Sequence, residues 1–199
     1  MPLSLKRMHK EIELFNNKIN FDKYNSNIQN FFYSLIMIEY NIDNNTYLDV
    51  KNNNNILLLT LKLPPDYPFK PYEIIYNNIT NKLNKNNSYF RNIGLLSEKK
   101  IFDEKILNFF YKIQYGLNSK FLNLQINNCF CCKSLFYNYN WNPYLTIIDI
   151  LLEYLEIKFI VKYSRPYNYL NVLNIYNNLY TINSNKLPNE ILDNIFNSL

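Results

Sequence analysis

Glycine is almost missing from this chain of 199 residues: Gly94 and Gly116 are the only two. Tight turns must then rely on Asn, which enters left-handed backbone conformations most readily after Gly. Cysteine is equally scarce, and all of it lies in Cys129, Cys131 and Cys132. An odd count bunched in one place makes no disulfide framework and points to a reducing compartment. The one histidine, His9, is far away on an N-terminal helix, so a Cys/His dyad of the protease kind is not expected. Nor is a zinc site, because three cysteines within four positions cannot easily wrap one tetrahedral ion and no second ligand pair exists. Long apolar runs are missing too. The longest, 145–161, is broken by Asp149, Glu153, Glu156 and Lys158, which excludes a membrane span. Residues 1–14 carry charges where a secretory signal would be apolar. The net charge of +5 is mild and its basic residues are scattered, so no concentrated phosphate-binding footprint supports a nucleic-acid partner. These absences predict a soluble intracellular protein, cytoplasmic or nuclear, with no membrane partner and no cofactor.

What is present is apolar and aromatic. With 48% hydrophobic residues, including 19 Tyr and 14 Phe, the chain can bury a sizeable core despite its high Asn content. Leu5, Met8, Ile12 and Phe15 recur at helical spacing and predict a first helix over 3–16, capped by Ser4. Lys6, Arg7, Lys10, Glu11 and Glu13 fall on its other face, either as a solvated surface or as a docking surface for an acidic partner. Strands are expected over 31–40, 47–50, 56–63 and 72–76, and linkers of about five residues suggest an antiparallel meander. The four prolines of 63–71 exclude a central strand and predict a rigid surface loop. Ile101, Phe102, Ile106, Phe109, Phe110 and Ile113 suggest a further amphipathic helix with Ser97 as its cap. Another, amphipathic over 145–157, starts just past Pro143. Helical segments are expected over 167–180 and from Pro188 to the end. The fold class is α+β: an N-terminal helix, an antiparallel β-meander, a loop carrying the cysteines, then C-terminal helices.

Four separated segments, in order, resemble the ubiquitin-conjugating enzyme family. Ser4-Leu5-Lys6-Arg7-Met8-His9-Lys10-Glu11 is similar to its first helix. Asp66-Tyr67-Pro68-Phe69-Lys70-Pro71 matches its "DYPFKPP" signature, with Tyr72 in place of the last proline. Trp141-Asn142-Pro143-Tyr144-Leu145-Thr146-Ile147 resembles its "WSPALTI", and the cysteines lie between, where the family has its catalytic thiol. The resemblance implies a UBC-like core over 1–160 with an insertion at about 77–120, and leaves 161–199 as a helical extension. Within that extension, 187–199 resembles the opening third of an F-box. The bland reading is a terminal amphipathic helix packing on the domain through Ile191, Leu192, Ile195, Phe196 and Leu199.

The implied activity is transfer of ubiquitin or a ubiquitin-like modifier through a cysteine thioester, with an activating enzyme and a ligase as partners. Thiolates are the nucleophiles of transthiolation, and the exchange needs no imidazole when the incoming group is already a thioester. Without the flanking motifs, the cysteines would read as small buried hydrophobes. Two spacings compete for the nucleophile. Asn123 stands eight residues before Cys131, as the family's Asn stands before its cysteine, whereas the interval to Trp141 fits Cys132 better. Cys131 is preferred, because the Asn is the more directly mechanistic constraint. The role implied for Asn123 is to donate to the oxyanion formed when an amine attacks the thioester, although Phe121 and Leu122 replace the family's His and Pro before it. Asn123 also suits a plain turn-stabilising role. By the same resemblance Lys6, Arg7 and Lys10 match positions that dock the activating enzyme and ligases, and Phe69, Pro143 and Tyr144 match the two loops that contact ligase domains.

Overall fold

A computed structural model describes residues 1–77, 82–83, 104–119, 134–136 and 140–163. Helix α1 covers Leu3–Asn16, a single 3-10 turn covers Phe21–Lys23, and α2 covers Ser26–Tyr33. A sheet follows, made of β1 (Leu35–Ile42), β2 (Asn45–Asn52), β3 (Leu57–Lys62), β4 (Glu73–Asn77) and the two-residue β5 (Lys82–Leu83). Its order is β1-β2-β3-β4-β5 and every neighbouring pair is antiparallel. Helices α3 (Glu104–Tyr115) and α4 (Ile147–Tyr163) complete the described elements. The arrangement is α+β, with an N-terminal helix, a meander and later helices.

The first hairpin shows how the chain turns without glycine. Ile42 pairs with Asn45, so the loop is Asp43-Asn44 alone, with φ of 48° and 61°. Those angles suit the two-residue turn that matches strand twist, and Asn and Asp tolerate them best after Gly. Asn20 and Asn55 adopt positive φ as well. The linker is thus shorter than the five residues expected. Gly116, at φ +67°, ends α3, and a Cβ there would come into ordinary contact with the Asn25 side chain.

The sheet's inner face presents Leu35, Leu48, Val50, Leu59, Leu61 and Ile74 to the helices, all buried. Met8, Phe15, Phe21, Ile28 and Phe32 close over them from α1, the 3-10 turn and α2, with rings of Phe21 and Phe32 4.9 Å apart. Helix α4 lies in the middle of this core. Ile147, Ile150, Leu151, Tyr154, Leu155, Ile157, Phe159 and Ile160 are all buried.

Several expectations are corrected. Phe31 to Tyr33 lie in α2 and not in a strand; Asn25 caps that helix by accepting from the Ile28 N–H at 3.1 Å. Aromatic residues suit a strand in isolation, but here Phe32 completes the apolar stripe begun by Ile28. Ser4 caps nothing: the cap position is Pro2, and Ser4 is buried inside α1. The buried stripe of α1 is Ser4, Met8, Glu11 and Phe15, so Glu11 faces the core and not the solvent. Helix α4 is not amphipathic, because neighbours surround it and even Glu153 and Glu156 are buried. Ser97, Ile101 and Phe102, and the helices expected over 167–180 and 188–199, lie outside the described residues. No helix among the described residues is long and apolar enough to cross a membrane.

Candidate functional site

The two loops that carry Phe69 and Tyr144 are locked to each other and to α1. Trp141 donates from Nε1 to the Pro68 carbonyl at 2.7 Å, joining the Trp-Asn-Pro segment to the proline loop. The rings of Tyr67 and Trp141 pack with centroids 6.2 Å apart. The proline loop is therefore not wholly superficial. Tyr67 and Tyr72 are each 1% exposed and pack at a tilt with ring centroids 4.6 Å apart, while Phe69 between them in sequence is 71% exposed. Tyr144 is 91% exposed. Two large rings held in solvent on anchored backbone are unusual for a chain with so much buried aromatic surface.

Glu11 is the point where these elements meet. Tyr67 donates its hydroxyl to both carboxylate oxygens at 2.7 Å, and the Ile147 N–H, the first of α4, donates at 3.1 Å. Arg7, one turn earlier on α1, donates from Nε to the same carboxylate and from a terminal nitrogen to the Pro143 carbonyl at 3.5 Å. A buried carboxylate is tolerable only when paired and hydrogen-bonded, and this one is both. Burial pushes the Tyr67 hydroxyl well above its ordinary range, with Tyr72 and Glu11 adding to the effect. Burial alone would lower the Arg7 pKa, but its hydrogen bond and charge interaction with Glu11 outweigh this and raise it. Helix α4 begins cleanly beside this network: Asp149 accepts from the Thr146 N–H at 2.8 Å and from its hydroxyl at 3.0 Å.

Of the residues expected at a partner surface, Arg7, Phe69, Pro143 and Tyr144 come together around this network. Lys6 and Lys10 are exposed on α1, and Pro2 and Leu3 at its start border a depression shared with Pro65, Phe69 and Lys70. Arg7 is half-buried and engaged, so its role is to fix backbone as much as to present charge. Lys70 is paired with Asp66 at 2.7 Å in an exposed i,i+4 bridge.

Cys131, Cys132 and Asn123 lie outside the described residues. What is described is where their segment leaves and rejoins the fold. Ser119 bonds through its hydroxyl to Glu156, and Ser134 bonds likewise to Glu153, whose other oxygen accepts the Leu135 N–H at 2.7 Å. Glu153 and Glu156 are consecutive on one face of α4, so both ends of 120–133 are tied to adjacent turns. Leu135 is buried and Phe136 packs against the core.

Helix α3, in the expected insertion, packs on α2 and on the C-terminal half of α4. Tyr111 and Tyr115 meet Phe159 at 5.3 and 5.8 Å, and Asn25 and Asn27 both donate to the Gln114 carbonyl. Sequence reasoning missed the three buried glutamates. The signal was there for Glu11, which falls in the 4, 8, 11, 15 register of the buried stripe. For Glu153 and Glu156 there was none, because their serine partners are distant in sequence.

No protein-family model matches this chain, and neither does any curated protein or solved structure.

Proposed function

We propose that the chain is a ubiquitin-conjugating enzyme of the UBC fold, which receives ubiquitin or a related modifier from an activating enzyme and passes it to a ligase or to a substrate lysine. The observation that carries this reading is the presentation of Phe69 and Tyr144, from two separate loops joined by the Trp141 to Pro68 hydrogen bond, beside the basic start of α1. Exposed aromatic anchors on rigid backbone, with Lys6 and Lys10 exposed on the same α1 that anchors both loops, suit a protein partner better than a small molecule. The Cys131 thiolate attacks the carbonyl carbon of the incoming thioester; a new C–S bond forms as the donor's C–S bond breaks and its thiolate leaves. An amine then attacks the same carbonyl carbon: a C–N bond forms, the C–S bond to Cys131 breaks, the proton lost by the amine ends on the departing thiolate or in water, and nothing is oxidised or reduced. Asn123 donates to the oxyanion of the second step. Cys132 is the other candidate nucleophile.

A charging assay tests the reading. Incubated with activating enzyme, ATP and ubiquitin, the chain should give a band on a non-reducing gel that thiol removes. Cys131→Ser should turn the adduct into a thiol-resistant ester, and Cys131→Ala should abolish it. Loss on Cys132→Ala instead would move the nucleophile by one residue. The second reading is a catalytically silent UBC-fold binding module. It is favoured by Phe121 and Leu122, which stand where the family has His and Pro. Absence of charging with every modifier, together with ligase binding that Phe69→Ala weakens, would establish it.

A further inference from the structure

Strand β1 is an edge of the described sheet: among the described residues it pairs with β2 alone, whereas β5 pairs with β4 at the other end. Natural edges are usually guarded by Lys, Pro or a bulge that prevent a second chain from adding a strand. The eight residues Leu35–Ile42 contain neither Lys nor Pro, and their register with β2 runs without a shift. The strand's one charge, Glu39, is engaged by His9 of α1 at 2.8 Å. On its outer face Ile36, Ile38 and Ile42 are 47%, 41% and 53% exposed.

The turn determines which backbone groups face the open side. In a two-residue hairpin the closing pair, here Ile42 with Asn45, exchanges both hydrogen bonds, and bonded and non-bonded pairs then alternate along the ladder. Ile36, Ile38, Tyr40 and Ile42 therefore use their N–H and C=O groups on β2. Leu35, Met37, Glu39 and Asn41 direct theirs outward, and among the described residues no strand meets them.

We propose that β1 pairs antiparallel with β1 of a second copy of this chain, about a two-fold axis through Ile38. This register sets Ile38 opposite itself and Ile36 opposite Tyr40 of the second copy, extending one apolar strip across the outer face. On the helix side it sets Met37 opposite Glu39 and Leu35 opposite Asn41, so every outward N–H and C=O of the strand meets its complement. Charge and length select it over its neighbours. An axis at Glu39 would place two carboxylates face to face, which is destabilising across strands. An axis at Met37 would leave Tyr40, Asn41 and Ile42 beyond the paired region. The helix side is not closed off: an open depression between α1 and β1, lined by His9, Ile12, Met37 and Glu39 among others, leaves room for side chains of the added strand. Self-complementarity within one strand is what points to a second copy over an unrelated extended peptide.

Sedimentation equilibrium of the full chain over a wide concentration range tests this, with circular dichroism as the check on folding. Reversible dimerisation is expected. Ile38→Lys sets two cations on the axis and should weaken the dimer roughly tenfold or more. Ile56→Lys, at a residue 51% exposed and outside β1, should leave it unchanged. The register is tested separately, with the three native cysteines replaced by serine. Ile38→Cys should oxidise readily to a covalent dimer, since a non-bonded antiparallel pair brings Cα atoms to about 4.5 Å. Ile36→Cys should not, because its copies would lie roughly 14 Å apart. A chain that stays monomeric throughout, a dimer indifferent to Ile38→Lys, or cross-linking through residue 36 in preference to 38 would each overturn the proposal.

Discussion

The start and the middle of α4 are held by opposite means. At its start, a carboxylate from another element, Glu11, gathers the first N–H of the helix, the Tyr67 hydroxyl and the Arg7 guanidinium, and so fixes three segments at once. Along its middle, the helix supplies the carboxylates itself: Glu153 and Glu156 reach out to Ser134, Leu135 and Ser119, and Phe159, just beyond them, packs with Tyr111 and Tyr115. The first arrangement is charge-compensated and directional, and it positions exposed side chains. The second secures the two ends of the cysteine-bearing segment against an aromatic core. Orientation of a surface calls for directional bonds, whereas anchoring a segment needs only that its ends be satisfied and buried.

The contrast is best broken at Glu11. Glu11→Ala leaves Arg7, the Tyr67 hydroxyl and the Ile147 N–H without their acceptor, and is expected to cost about 3–5 kcal/mol in chemical denaturation. Any folded remainder should lose partner binding along with stability, since both loops lose their common anchor. Glu153→Ala is expected to cost about 2–3 kcal/mol, because it strands the Leu135 N–H and the Ser134 hydroxyl. Its distinguishing effect is on the cysteines: their alkylation rate should change while the accessibility of Phe69 and Tyr144, read by protease or quenching, stays as it was.

The aromatic end also responds to alkali. Burial pushes the Tyr115 hydroxyl up to about 12 from an ordinary 10.0, and burial raises Tyr111 too. A group whose folded pKa lies above its unfolded value favours folding fully below the unfolded pKa. The stability Tyr115 contributes is therefore complete below pH 10.0 and is lost as the pH climbs towards about 12. Denaturation midpoints should fall across that window, and Tyr115→Phe should flatten the slope by the part this residue contributes; an unchanged slope would remove Tyr115 from the account. The smallest effect is expected at the surface. Lys70→Ala breaks only an exposed pair with Asp66 and should leave the midpoint where it is.

Much of the fold was legible because its signals are local. The α1 span, strands β2, β3 and β4 of the meander and the proline loop follow from apolar spacing and from where proline cannot donate. The scarcity of glycine correctly pointed to Asn in the tight turns, as Asn20, Asn44 and Asn55 show. The stretch Phe31 to Tyr33 was misread because aromatic residues serve helix and strand alike, and only its contacts with α4, such as the Phe31 and Tyr154 rings at 6.4 Å, decide between them. The candidate site was half legible. Phe69, Pro143 and Tyr144 were singled out by motif, but the residue that ties their loops together, Glu11, was assigned to solvent because a charged side chain is rarely fully buried unless paired.

From the chain alone, then, came the α+β order and the crowding of all thiols into one segment, because these depend on composition and on distances along the backbone. Tertiary structure alone decided which charges are inside. Glu11, Glu153 and Glu156 are interior residues only because Tyr67, Ser134 and Ser119, from segments remote in sequence, bring the hydrogen bonds without which a buried carboxylate would not be stable.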